Sequence, residues 1–403
     1  MIVAFQNLFG AQYEGGANWL EVSLLGLGAL PAPPKCLVVG ASVEVLPPTL
    51  REASHVEAVP LVRRAESRGG RLLRGALRRV TRRPWEDVAL REINEAHGVD
   101  LWVGFAGFEG LSVERRLLVW FPDFQFLHFP ELFEPDDLRD RLRQWDFVAR
   151  RADGILAISE SVAEDARRSH AETASKTHVC GFPPVFPMSV LRQQPDEIRR
   201  KYSLPERFLL VSNQFWQHKN HALVVRALSH LKQCGKVPPV VAFTGRTHDY
   251  RRPDAFSALL RSVHEQGLHE FCRFLGVVPR DEQIALIRAA EAVVQPSLFE
   301  GRGAIGEEAT VLGTQLLCSD IPVHRELNVP GALFFPTDGA TELAALMERR
   351  YTRSNRDAAE IADESRRLAL AYGERLLEIF EKVSGKKSVL ATEQMKERGQ
   401  GQK

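Results

Sequence analysis

The sequence predicts two α/β domains, each a doubly wound parallel sheet, facing one another across a cleft. Three observations lead there. Short apolar runs alternate with helical patterns through residues 2–180 and again through 205–330, the pattern of open parallel sheets. Between the two series lies Gly181–Pro187, with three prolines in seven residues, which halts regular structure. Polar and glycine-rich segments recur just after the predicted strands, where open sheets bind their ligands.

In the first series the predicted strands are Ile2–Phe5, Cys36–Val39, His55–Val59, Asp100–Phe105, Leu117–Phe121 and Gly154–Ile158. A loop carrying Gly15 and Gly16 follows the first strand, and helical apolar spacing begins at Asn18. Trp85–His97 and Asp136–Arg150 read as helices, and Ser159, with Ser161 as the alternative, as the N-cap of a further one. The second series predicts strands Phe208–Ser212, Val240–Phe243, Phe271–Leu275, Ala292–Val294 and Leu316–Cys318, with helices Asn220–Lys232, Pro253–His264 and Asp281–Ala290 between them. The expected domains are 1–186 and 187–383, the last helices returning to the first domain, with a polar disordered tail over 384–403.

Bulk properties narrow the function classes. The 403 residues are 44% apolar and 26% charged, with a net charge of +1, so the chain as a whole has no nucleic-acid signature. Five cysteines, widely spaced and without a CxxC or Cys/His cluster, read as buried thiols in a reducing compartment. Neither a secretory signal nor a run of about 18 apolar residues is present, so a cytoplasmic location is expected. Residues 61–83 hold nine arginines against the single acid Glu66, with Leu72, Leu73, Ala76, Leu77 and Val80 at helical spacing. Two readings fit: a basic amphipathic foot on the anionic inner face of a membrane, or a solvated surface helix.

The chemistry concentrates in Ser297–Ser319. An apolar strand ends at Pro296, glycines 301, 303 and 306 turn the chain, helical composition runs from Glu307 to Leu312, and Gly313 closes it. Glu300 and Glu308 flank a loop whose amides suit an anion. Glycine-rich turns are also common structural devices, and this loop alone is weak evidence. Elsewhere, Asn213–His221 follows a strand and places Lys219 at a helix mouth. A lysine there opposes the helix dipole, which an intervening anion would relieve; otherwise it points to water. His221 reads as a surface residue. His218 and His221 lack a third ligand for zinc, and no Asp-x-Asp pair is present to hold a metal on a diphosphate. Asp123 and His128 follow the strand ending at Phe121.

These residues resemble the retaining glycosyltransferases of family 4. The resemblance rests on Lys219-Asn220, Gly276, the segment Pro296-Ser-x-Phe-Glu-Gly-x-Gly with Glu308-Ala309 and Gly313, and Ser319–Glu326. It covers about residues 205–330 strongly and, through Gly15-Gly16, Phe121–Gln125 and Ser159, the first half more weakly. It implies a GT-B fold and transfer of a sugar from a nucleotide-sugar donor to a glycan or lipid-linked acceptor, with no metal or other cofactor. By the same analogy Glu308 would accept from the ribose hydroxyls, Lys219 would neutralise the diphosphate, and Glu300 would face the transferred sugar beside amides near Gly301 and Gly303. Gly15 and Gly16 would let the first loop approach the phosphates or the acceptor.

Several positions depart from the pattern. Asn213 stands where Arg is common, and Pro122-Asp123 stands where His-Asp is common, leaving either Asp123 or His128 to touch the donor sugar. Arg302 replaces an aromatic and is a candidate phosphate or acceptor cation. Gln315 replaces a proline. The competing readings are a non-catalytic glycan-binding or scaffold subunit and, with fewer suitable acid–base groups, a sugar-nucleotide epimerase.

Overall fold

A computed structural model describes residues 1–9, 14–61, 88–105 and 116–386. The arginine-rich stretch and the expected tail beyond Lys386 lie outside the described residues. Two parallel sheets form the frame. The first is built from β1 (Ile2–Gln6), β2 (Lys35–Val39), β3 (Val56–Val59), β4 (Leu101–Phe105), β5 (Arg116–Phe121), β6 (Gly154–Ala157) and β7 (Thr177–Val179), in spatial order β3-β2-β1-β4-β5-β6-β7. The second is built from β8 (Phe208–Ser212), β9 (Val240–Thr244), β10 (Cys272–Gly276), β11 (Ala292–Gln295), β12 (Gln315–Ser319) and β13 (Leu333–Phe335), ordered β10-β9-β8-β11-β12-β13. The strands β7 and β13, three residues each, were too short for a period-2 signal to mark them. The fold is GT-B: two Rossmann-like domains.

Strand order reverses between β1 and β4 in the first sheet and between β8 and β11 in the second. At such switch points the loops diverge and leave a crevice above the carboxyl ends. Lys219 follows β8 and Glu300 follows β11, so the second reversal brings them together although 81 residues separate them.

Both faces of each sheet are covered, which explains the near-continuous apolar strands. In the second sheet alternate residues feed two cores. Leu210, Ala242, Val293 and Leu316 face one side, and Leu209, Val211, Phe243 and Val294 face the other. The first core is rich in tryptophan; Trp19 and Trp120 stack with centroids 4.4 Å apart and planes within 8°. The long helix Ala358–Ser384 joins both regions. Ile361 and Ala362 belong to a core of the second sheet, while Tyr372, Leu376 and Phe380 belong to the core of the first. It crosses the helix Glu14–Gly28 at Gly26 and Gly373, so closely that a Cβ on Gly373 would lie 2.0 Å from the Gly26 carbonyl oxygen. Beside the crossing, Ser23 Oγ and Tyr372 Oη are 3.0 Å apart.

Local differences from expectation have simple causes. The first helix starts at Glu14, so Gly15 and Gly16 lie in its opening turn and not in a free loop. The helix after Gly303 starts at Ala304 and contains Gly306. Only Gly303 of the three loop glycines has positive φ, at +81°. Gly306 is needed for room: a Cβ there would lie 3.1 Å from Gln295 Oε1 and from a Leu316 methyl. Ser159 is the N-cap, its Oγ accepting from Val162 N–H at 3.1 Å. Four cysteines are buried, but Cys234 is exposed.

Candidate active site

At the switch point of the second sheet lies a buried ion pair. Lys219 Nζ donates to both Glu300 oxygens at 2.7 and 2.8 Å. Ser297 Oγ adds a bond of 2.6 Å and Gln295 Nε2 one of 3.3 Å to Glu300 Oε1. Burial works to raise the Glu300 carboxyl, but the neighbouring Lys219 charge and these hydrogen bonds bring it down to about 2. Two local features aim the pair. Asn220 adopts the left-handed conformation, φ 55° and ψ 37°, ending the short turn Gln217–Lys219 and starting the helix His221–Gln233. Leu298 N–H donates to the His218 carbonyl at 2.8 Å, pinning the Glu300 loop to the Lys219 turn.

Glu308 sits one helical turn inside Ala304–Val311. Its carboxylate is held bidentately by Arg280, at 2.6 and 3.0 Å. Arg280 also donates to Gln283 Oε1 at 2.8 Å, and Gln283 Nε2 to Ser212 Oγ at 2.6 Å. The Arg280 side chain, at the start of its own helix, was missed from sequence; only its place just beyond β10 could have signalled it.

The first domain contributes Asp123. It accepts from Gln125 N–H at 3.0 Å, and burial pushes its carboxyl above the ordinary aspartate range, opposed by that bond. Gly301 comes up against it. A Cβ at Gly301 would lie 2.3 Å from the Pro122 carbonyl oxygen and 3.0 Å from Asp123 Cβ. His128 is further out. Its Nε2 pairs with Asp165 at 2.8 Å, a contact that raises the imidazole, and its ring lies 5.1 Å from that of Phe299.

Other expected site residues are placed differently. Arg302 turns away from the Lys219 pair. It forms an ion pair with Glu307, donates to the Ile158 carbonyl of the first domain at 3.2 Å, and lies flat on Gly181. Asn213 is partly buried, with no hydrogen-bond partner at Nδ2. His221, expected on the surface, is buried and stacked on Phe215 at 4.4 Å. Burial and the Lys219 charge take its ring down to about 3, so it is neutral. His324 was not singled out as a site residue. It is buried, with Nδ1 2.8 Å from the Ser319 carbonyl oxygen, and its ring closes on Gly303. Among the described residues no group of three or more His, Cys, Asp or Glu could hold a metal.

Residues 194–367, which contain Lys219, Glu300 and Glu308, match the family described as glycosyl transferases group 1. The match lies within the second α/β region and covers less than half of the chain. Half of the chain is similar to the serotype-specific mannosyltransferase WbdA of Escherichia coli, 30% identical over 214 residues that make up 25% of that protein. The O-antigen chain mannosyltransferase RfbU of Salmonella typhimurium is 27% identical over 190 residues, 47% of this chain and 48% of that one. The matched regions therefore span between a quarter and a half of these relatives. Over its whole length the chain is similar in fold to a sucrose-phosphate synthase from Thermosynechococcus elongatus (TM-score 0.64, 17% identity, all of both chains). It is also similar to Anabaena HepE in complex with UDP-glucose (TM-score 0.59, 18% identity, all of both chains). Within the matched segment the two acids lie in distinct settings: Glu300 is ionised on Lys219, and Glu308 is held by Arg280.

Proposed function

We propose that the chain transfers a sugar, with retention of anomeric configuration, from a nucleotide-sugar donor to a glycan or lipid-linked acceptor in cell-surface polysaccharide assembly. The observation that carries the reading is the buried Lys219–Glu300 pair at the switch point of the second sheet, opposed by Asp123 from the first. A diphosphate leaving group needs a cation beside it as negative charge develops, and Lys219 offers one without a metal. Glu308, on the following helix, is the acceptor for ribose hydroxyls, and Arg280 keeps it oriented.

Glu300 is saturated by Lys219, Ser297 and Gln295 and stays ionised at neutral pH. It stabilises positive charge on the sugar and is a poor proton acceptor. Asp123, pushed the other way by burial, holds a donor-sugar hydroxyl and keeps water out where Gly301 closes on it. Such a pair of carboxyls, driven apart by environment, divides the electrostatic and hydrogen-bonding work. The acceptor oxygen bonds to the anomeric carbon as the bond to phosphate breaks, and the acceptor proton passes to the leaving phosphate oxygen on the same face.

Relatives named as mannosyltransferases support mannose as the first sugar to try. The test is nucleotide release from UDP-, GDP- and ADP-sugars with mannosylated and lipid-linked acceptors, repeated with EDTA, and NMR of the product's anomeric proton. Release that survives EDTA and gives a retained linkage is expected. No release across the panel would leave the scaffold reading, and an inverted product would remove the stated roles.

A further inference from the structure

On the opposite face of the second sheet from Glu308 lies a cavity of about 540 Å³. It sits between the first turn of the helix His221–Gln233 and the helix Ala255–Glu265. Trp216, Phe256 and Leu259 are its apolar walls, and Gln217, Arg252 and Asp254 are polar groups on its lining. The volume is in the range of sites for small organic ligands, about 300–1,000 Å³.

Its position ties it to the reaction centre. Gln217 and Asn220, both on its lining, flank Lys219, and Leu298, also on the lining, is two residues before Glu300. At the rim Arg252 Nη2 donates to the Glu131 carbonyl of the first domain at 3.3 Å, so the cavity meets the seam between the domains. In its wall the buried His221 has an Nε2 without a hydrogen-bond partner.

The chemistry of the lining selects among ligands. One arginine and one aspartate leave it without an excess of cation, which a nucleotide or a lipid phosphate would need. Polar groups interrupt the apolar walls, which a lipid tail would not match. Ring faces beside amide, carboxylate and guanidinium groups suit a neutral ligand with apolar C–H faces and many hydroxyls. We infer that this cavity is a subsite for sugar units of the acceptor glycan that lie beyond the unit being extended. The inference rests on the proposed transferase reading for the direction from which the glycan arrives.

The probes are mannan oligosaccharides of one to six residues, followed by saturation-transfer NMR on the full chain. Two variants are compared: Ala258→Trp, which fills the cavity from an exposed helical position, and Phe256→Ala, which removes a wall. GDP and UDP titrations and thermal melts accompany them. Affinity is expected to rise with oligosaccharide length in the unsubstituted chain and to drop at least tenfold for the longer probes in Ala258→Trp, with nucleotide affinity unchanged. Undiminished binding of the longer probes by both variants, or no oligosaccharide binding by the unsubstituted chain, overturns the subsite. If oligosaccharides bind by length while no donor sugar is turned over, the transferase reading fails and the subsite stands. If transfer occurs with no dependence on acceptor length, the subsite alone fails.

Discussion

Lys219, Glu300 and Glu308 carry the predictions at the residue scale because each has an identified partner. Lys219→Ala removes the cation proposed to neutralise the leaving group and leaves Glu300 buried without its counter-charge. A fall in kcat of about 10²–10³-fold, with a higher donor KM, is expected from steady-state kinetics. Glu308→Ala frees Arg280 and removes the proposed ribose acceptor; donor KM should rise by roughly ten- to a hundredfold, the worth of a charged hydrogen bond, with kcat little changed. Glu300 also makes stability depend on pH. Its carboxyl lies at about 2 in the fold against an ordinary 4.5, so the folded state binds this proton less readily than the unfolded chain. The contribution is present in full above about pH 4.5 and fades as pH falls toward 2. Urea titrations at pH 6 and pH 3 should differ by about 2 kcal/mol more in the native chain than in Glu300→Gln.

At the level of elements, two glycines set how closely segments approach. Gly301 brings the Glu300 loop onto Pro122 and Asp123, and a methyl there meets backbone. Gly301→Ala should therefore push the domains apart at the site, lowering kcat/KM by more than tenfold while the melting temperature moves little. Gly373 does the same for the helix crossing at Gly26. Here no flexible side chain can give way, so Gly373→Ala should destabilise the fold by about 1–3 kcal/mol, measured by thermal or denaturant unfolding.

Across the whole molecule, contacts between the domains hold the two halves of the site in register. Glu326 of the second domain accepts from Glu160 N–H at 2.6 Å and Ser161 N–H at 3.0 Å, closing the start of the helix Glu160–Ser169. On the other flank Arg251, buried against Asp249, donates to Gln125 Oε1 at 2.7 Å, and Arg246 pairs with Glu14 at 2.7 Å. Glu326→Ala opens two helix amides and removes one of these ties. A larger radius of gyration by X-ray scattering and a raised donor KM are expected, with the helix losing about 1 kcal/mol of capping. The arginines between 63 and 83 supply a separate test: replacing them by glutamine should release the chain from anionic vesicles in sedimentation, if that stretch is a membrane foot.

The sequence by itself determined the two α/β series, because strands buried on both faces must be apolar throughout and the turns between them must not be. It also determined the neighbourhood of Lys219, Glu300 and Glu308, through the glycine-rich strand-to-helix context around the two acids and the lysine at another strand end. Tertiary structure decided the partners. Arg302 looked like a free cation near the phosphates, but the proximity of Ile158, Gly181 and Glu307 commits it to the domain seam. Arg280 had no motif, yet it opens the crossover helix that returns from the edge strand β10 to β11, and there it meets Glu308. His221 looked exposed in a polar string, and the left-handed Asn220 before it turns its ring inward onto Phe215. Periodicity reports which side of an element is buried. Which charge meets which is fixed only when strands distant in sequence lie side by side.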